Sequence, residues 1–177
     1  MPRTINSFMN ACILTIGNEL LQGFTIDTNS TWIAKTLEPY GVNIKKILTV
    51  GDDHDTIINE SQKILENDFD FLFVTGGLGP TKDDITKKAF CELFSDEMFF
   101  DEKYYLHLNN LFKKQKKTIP EINKSQAMLL KKASSIPNDL GSALGIHYFE
   151  KNTHIFIMPG VPNEMKNIIQ NYIIPDY

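Results

Sequence analysis

A chain of 177 residues, 42% hydrophobic and 23% charged, has the size and composition of one soluble globular domain with room for a sizeable core. A net charge of −4 argues against a broad nucleic-acid footprint, and no run of about 18 apolar residues is present to span a membrane. The start, MPRTINSFMNACILTIG, lacks a small-residue cleavage site for export, and Cys12 and Cys91 sit in apolar patterns as buried free thiols, so a cytoplasmic protein is expected.

In chain order, ACILTIG (11–17) is an unbroken apolar run closed by glycine, as in a strand buried on both faces. After the polar loop NELLQGFTIDT, the spacing of Trp32, Ile33, Thr36, Leu37 and Tyr40 predicts a helix, with Thr28 or Asn29 as N-cap and Gly41 as stop. VNIKKILTV (42–50) reads as a second strand ending in GDD. HDTIINESQKILEND reads as an amphipathic helix with Ile57, Ile58, Ile64 and Leu65 inward, and FDFLFVT (69–75) as a third strand. The middle, 95–132, reads as helical and polar with a break at Pro120, and its basic cluster Lys113, Lys114, Lys116, Lys117 as a solvated helix end. SALGIHYFEKNTHIFIM predicts a strand pair turning near Lys151–Asn152, and PGVPNEMKNIIQNYII a closing helix with Pro162 in its first turn. Strand, loop and helix in repetition argue for a parallel sheet covered by helices, in one α/β domain of three layers over 1–177. The four histidines, His54, His107, His147 and His154, read as scattered, with no metal-site spacing.

Ligands of open parallel sheets bind beyond the carboxyl ends of the strands. Every loop expected there is polar: GNELLQGFTIDTN, GDD, GGLGPTKDDIT and PGVPNEMK. In the third, Gly76, Gly77 and Gly79 can take positive φ and turn bare N–H groups toward an anion, beside a helix beginning near Asp83 or Asp84. The spacing is neither a Walker A loop nor a dinucleotide fingerprint. Either the glycines make a tight turn capped by an aspartate, or they cradle a phosphate. A second carboxylate beside a phosphate favours an intervening cation, which Asp52 could also ligate unless it caps the following helix. Lys82 can screen phosphate charge or lie exposed. Glu19 and Asp27 can contact ribose hydroxyls or a metal, or act as loop solubiliser and cap. Gly160, between Pro159 and Pro162, makes a rigid turn suited to clamping a ligand or to turning the chain. By themselves NKSQA (123–127) and NDLGSALG (138–145) read as surface loops.

Taken in order, GNELLQG…DTN, VGDD, TGGLGPTKDDIT, NKSQA, PNDLGSALG and MPGVPNEMK resemble the N-terminal domain of the CinA family, within the molybdopterin-binding superfamily of MogA and MoeA. The resemblance implies a three-layer α/β/α sandwich with a mostly parallel sheet, nucleotide binding in the edge loops, and metal-dependent cleavage of ADP-ribose to AMP and ribose 5-phosphate. In the molybdenum-cofactor relatives the same pocket would hold molybdopterin. Carried over by motif, the phosphate loop is Gly76, Gly77, Gly79, Pro80 and Thr81, followed by Asp83. Asp52 and Asp84 would hold Mg²⁺, Mn²⁺ or Co²⁺, and Lys82 or Lys124 would offset charge on the leaving phosphate. Gly17, Glu19, Leu20, Asp27, Thr28 and Asn29 would line the first loop. Gln126, Gly141, Ser142, Pro159, Gly160 and Glu164 complete the expected surface. Lys124 replaces the family's usual arginine and loses its bidentate fork, and NDLGSALG lacks both prolines of the usual segment. The family's C-terminal deamidase domain is not expected in this chain. The superfamily implies a homo-oligomer, dimer or trimer, to which the aromatic-rich 94–112 segment could contribute unless it is core. Binding of molybdopterin, and nucleotide binding without catalysis, are the alternatives.

Overall fold

Burial on both faces sorts the apolar strands of this chain into one central sheet. The structure, a computed structural model, describes residues 8–80, 85–114 and 116–176. Along it run β1 (Met9–Ile16), a single-turn helix α1 (Asn18–Leu21), α2 (Thr28–Leu37), β2 (Val42–Val50), α3 (His54–Leu65), β3 (Phe71–Thr75) and α4 (Ile85–Leu93). Then come β4 (Met98–Phe100), α5 (Glu102–Lys114), a 3₁₀ segment (Glu121–Ala127), β5 (Met128–Leu130), β6 (Ser134–Ile136), β7 (Gly145–Glu150), β8 (Thr153–Met158) and α6 (Pro162–Ile168). The main sheet has the order β2-β1-β3-β8-β7-β6; β2, β1, β3 and β8 are parallel, while β7 pairs antiparallel with both of its neighbours.

Side chains alternate across the sheet, so each central strand feeds two cores. Cys12, Leu14, Ile16, Leu72 and Val74 pack under α3 and α4 against Ile57, Ile64, Ala89 and Phe90. Ala11, Ile13, Phe71 and Phe73 face α2 and α6 through Ile33, Leu37, Met165 and Ile168. The fold is therefore a three-layer α/β/α sandwich, as the pattern predicts. The chain leaves β1 first for β2 on one side and then for β3 on the other. This reversal opens a crevice at the carboxyl ends of β1 and β3.

Local chemistry sets several boundaries. Gly41 stops the helix after Tyr40 in the left-handed region at φ 78°. Lys151 and Asn152, at φ 51° and 63°, form the turn between β7 and β8, where two positive φ values match the twist of the paired strands. Pro162 opens α6 at its first turn.

Three expectations are corrected. The N-cap of α2 is Asp27, whose carboxylate accepts Ser30 N–H at 2.9 Å; neither Thr28 nor Asn29 takes that place. The 95–132 region is not helical throughout, because β4 and β5 pair antiparallel in a second, two-stranded sheet on either side of α5. The histidines are not all scattered: His147 Nε2 and His154 Nδ1 lie 3.0 Å apart across the β7–β8 hairpin. Cys12 is buried and Cys91 half-buried. Burial pushes the Cys12 thiol up to about 11, against the opposing Lys46 charge, which makes it an inert core thiol. The aromatic 94–112 segment packs partly within the chain, with Phe94 against Phe90 and Tyr148. Among the described residues no helix is long and apolar enough to cross a membrane.

Candidate functional site

The loops that follow β1, β3 and β8 converge at the crevice. Each glycine of the TGG turn is fixed by what lies against it. Gly76 sits at φ 114°, and a Cβ there would lie 2.1 Å from the Ile16 carbonyl oxygen of the neighbouring strand end. Gly77, at φ 65°, would place a Cβ 2.1 Å from Thr86 Oγ1. Only glycine lets these chain segments approach so closely. Gly79 is not among the positive-φ glycines, so two of the three expected positions use that freedom.

Asn29, on the first turn of α2, ties the loops together. Its Nδ2 donates to Thr75 Oγ1 at 3.1 Å and to the Gly160 carbonyl at 2.9 Å, while the Thr75 hydroxyl donates to the Pro159 carbonyl at 3.0 Å. Its amide oxygen, Oδ1, is buried and finds no partner among the described residues. Gly160 in turn packs on Gly76, which a Cβ on Gly160 would approach to 3.3 Å. Around this knot lies a cavity of about 110 Å³, walled by Thr15, Glu19, Leu20, Ile26, Asn29 and Thr75 among others. Asp27 also lines it, while its carboxylate caps α2.

Asp52 does not cap α3. Asp53 does so instead, accepting Thr56 N–H at 2.8 Å; the Thr56 side chain first, and then this N–H, hold its carboxyl below the ordinary value. Asp52 is thereby released to bridge the first two loops. Its carboxylate accepts Asn18 N–H at 2.8 Å while Asn18 Oδ1 accepts Asp52 N–H at 3.2 Å. Gly17 is extended, and its N–H donates to Val50 O at 3.0 Å across the same junction.

The remaining expected residues fall on the far side of the glycine turn. Gln126 is buried and donates to the Leu78 carbonyl at 3.3 Å, joining the NKSQA segment to the turn. Lys124 lies outside this contact, in an exposed ion pair with Glu121 at 2.6 Å that raises its pKa. The NDLGSALG stretch is more than a surface loop. Asn138 is buried, donates to Glu164 Oε2 at 2.7 Å and to Ala143 O at 2.8 Å, and accepts the Gly141 N–H at 3.1 Å. Gly141 packs so tightly on Glu164 that a Cβ would lie 2.2 Å from Oε2. The Ser142 carbonyl accepts Tyr104 O–H at 2.9 Å. Burial, with the Glu164 carboxylate adding to it, pushes the Tyr104 phenol up to about 12. Pro80 belongs to the described turn, whereas Thr81, Lys82, Asp83 and Asp84 lie outside the described residues.

Several residues at this edge carry no sequence signal. Lys87, on the first turn of α4, is only 8% exposed and donates to the Ser125 and Met128 carbonyls at 3.3 and 3.2 Å. A lysine in DDITKK reads as solvated, and nothing local announces its burial. Thr86 is fully buried, its hydroxyl facing Gly77 with no partner among the described residues. Thr75 and Asn18 become visible only once the strands are placed.

The described part of the edge therefore offers bare backbone at a glycine turn, amide and hydroxyl groups, and the carboxylates of Glu19 and Asp52. That combination suits a phosphorylated small molecule. For a divalent cation the described residues supply no cluster of three histidine, cysteine or acidic side chains. Asp52 is a carboxylate with capacity to spare beyond its one accepted N–H.

Comparison with known proteins follows the same lines. Residues 12–177 match a domain family described as "Probable molybdopterin binding domain". A CinA-like protein of Flavobacterium psychrophilum is 42% identical over 168 residues, covering 94% of this chain and 40% of that relative's length. The chain thus spans about two fifths of such a relative. The crystal structure of CinA from Thermoplasma acidophilum, a protein described there as of unknown function, superposes with a TM-score of 0.81 at 29% identity, covering 97% of this chain and 100% of that one. MoaB of Thermus thermophilus, a molybdopterin biosynthesis enzyme, shares the fold with a TM-score of 0.64 at 19% identity, over 94% of this chain and 90% of its own.

Proposed function

The chain belongs to the molybdopterin-binding domain family, in its CinA-like branch, and from that premise we propose that the cleft at the carboxyl ends of β1 and β3 binds a phosphorylated small molecule with a planar ring system, molybdopterin first. The observation that carries this reading is the Gly76–Gly77 turn, whose Cβ-less backbone is pressed between Ile16 and Thr86 beside the Asn29 knot. The Gly76 N–H is spent on the Met158 carbonyl at 3.1 Å, so a phosphate would be received by the N–H groups of the residues that follow it in the turn, Gly77 first. Titration of the purified protein with molybdopterin, followed by calorimetry, should give saturable binding that Asn29→Asp weakens at least tenfold. An unaltered isotherm in that variant would remove the knot from the site.

A second reading is favoured by the likeness to CinA-like proteins in particular. In it the cleft holds ADP-ribose, and a divalent cation between the diphosphate and carboxylates promotes hydrolysis to AMP and ribose 5-phosphate. Asp52 is the candidate ligand among the described residues, with Asp84 proposed as its partner. A bound cation would supply charge neutralisation and an acidified water; the chain's own part would be to hold the diphosphate at the glycine turn. AMP release in Mg²⁺, Mn²⁺ or Co²⁺, abolished by Asp84→Asn, would select this reading over molybdopterin binding. ADP-ribose retained intact under all three metals would select a non-catalytic nucleotide-binding module. We extend the proposal to a homo-oligomer, dimer or trimer, for which sedimentation velocity is the direct measurement.

A further inference from the structure

The loop between α1 and α2 is folded, yet it leaves its apolar side chains in water. Phe24 N–H and Thr25 N–H both donate to the Glu19 carbonyl, at 2.9 and 3.2 Å, and Gln22 N–H donates to Asn18 O at 2.9 Å. On this hydrogen-bonded frame Leu21, Phe24 and Ile26 are 58%, 81% and 82% exposed. Single exposed apolar residues need no explanation, but three within six positions do when their chain neighbours Leu20 and Thr25, and Ile26 itself, line a cavity. The deep wall, by contrast, is polar, made of Thr15, Asn29 and Thr75.

Size points the same way. The cavity holds about 110 Å³, whereas pockets that enclose a cofactor-sized ligand run from roughly 300 to 1,000 Å³. A ligand of the proposed class cannot fit inside it whole. Part of it must lie across the rim, and on the α1–α2 side that rim carries the exposed Ile26 among Glu19, Thr25 and Asp27, with Phe24 next along the chain. Resting on the binding reading above, we propose that Ile26 and Phe24 form a lip for the planar ring of the ligand and are its specificity-determining residues. The polar wall then takes the hydroxyl-bearing portion, and the glycine turn takes the phosphate.

The test compares ligands with and without a planar ring. Molybdopterin and ADP-ribose carry one; ribose 5-phosphate has only its sugar. Calorimetric titrations of the wild type, Phe24→Ala, Ile26→Ala and the conservative Ile26→Leu are set beside their thermal midpoints and sedimentation profiles. Both alanine variants should melt like the wild type, since the side chains removed are exposed. Each should weaken binding of the preferred ring-bearing ligand by about tenfold, the equivalent of one partly buried apolar side chain. Ribose 5-phosphate affinity should not change, and Ile26→Leu should restore ring binding. Equal affinity in the variants, or equal loss for ligands with and without the planar ring, would overturn the lip while leaving the site reading intact. Conversion of an oligomer to monomer by either alanine variant would overturn it in favour of a contact with a second copy of this chain. A wild type that binds none of the three ligands would overturn the site reading and the lip together.

Discussion

At Gly76 one methyl group separates a formed site from a broken one. The residue is at φ 114°, and its missing Cβ would press within 2.1 Å of a backbone oxygen that β1 holds in place. Nothing flexible is available to yield. Gly23 is the natural control, since it too has positive φ, 74°, but finds nothing within 4 Å. Gly23→Ala should therefore cost only the backbone strain, about 1 kcal/mol, and Gly76→Ala about 2–3 kcal/mol, as read from urea denaturation. Equal costs would mean that the close approach to Ile16 is relaxed in solution. Asn29 allows a sharper comparison. The Thr75 hydroxyl spends its hydrogen on Pro159 O, so both Thr75 Oγ1 and Gly160 O need a donor from position 29. Asn29→Ala leaves two acceptors to water and should cost about 1–2 kcal/mol. Asn29→Asp puts a carboxylate against two acceptors and should cost more, despite being nearly isosteric. Denaturation at pH 7 in which the aspartate variant is the more stable of the two would reverse the assigned amide orientation.

Among the elements, the β7–β8 hairpin carries a titratable pair that its turn creates. His147 and His154 share one hydrogen bond at 3.0 Å, with the ring planes nearly parallel at 15°; His147 stacks on Phe156, and Phe149 lies tilted against His154. One ring must accept, so the pair is intact only while at least one is neutral. Burial lowers both pKa values below 6.5; the charge of His154 adds to this at His147, while Asp176 near His147 and Asp70 near His154 oppose it. The unfolded chain therefore binds protons before the folded one does as pH falls. Stability is present above pH about 6.5 and declines below it, toward the depressed folded values. Thermal midpoints should fall from pH 7 to pH 5, and His147→Phe should flatten that slope. An unchanged slope in the variant would assign it to other groups. This hairpin also shows what local sequence can and cannot specify. Lys151–Asn152 between two apolar runs marked the turn, and Gly41 and Gly51 bracketed β2 to the residue. Once the turn is known, Phe149 and His154 pair directly and His147 follows diagonally, so the histidine contact was available from register alone. The strands β4 and β5 were not legible. Each has three residues, too few for a period, and α5 separates them. The α2 cap was ambiguous because Asp27, Thr28, Asn29 and Ser30 can all cap, and only the backbone decides.

For the whole molecule, the question is how the α5 region holds to the main sheet, since the glycine turn lies at their junction. The edge loops were readable because glycine and proline mark them, but the ties beneath them were not, because they join distant residues of ordinary type. Among the described residues, five side-chain hydrogen bonds contribute to the connection: Lys87 to the Ser125 and Met128 carbonyls, Gln126 to Leu78 O, Tyr104 to Ser142 O, and Tyr148 to Asp96. The last is the most buried side chain among them that reaches from the main sheet, with Tyr148 on β7 2% exposed and its hydroxyl 2.8 Å from Asp96 Oδ2. Asp96 also accepts Glu97 N–H at 2.7 Å and Lys132 N–H at 3.0 Å, so a single carboxylate gathers β7 and the two ends of the β4–β5 unit. Burial raises its pKa, but these donors outweigh that effect and hold it below the ordinary value. Burial and the same carboxylate push the Tyr148 phenol far upward. Tyr148→Phe keeps the ring packed on Phe94 and removes only the hydroxyl, leaving Asp96 with its backbone donors. The loss should be about 1.5–3 kcal/mol, as for a hydrogen bond to a charged group. Its distribution is the informative part: hydrogen exchange should quicken in 98–130 and in the 76–80 turn that Gln126 contacts, while β1 and β3 keep their protection. Because the turn is where a phosphate would be received, ligand affinity should fall with it even though Tyr148 lies on the opposite side of the sheet from α2 and Asn29. Exchange that quickens uniformly across the chain would instead make the α5 region part of one cooperative unit with the sheet, and the glycine turn no softer than the strands that carry it.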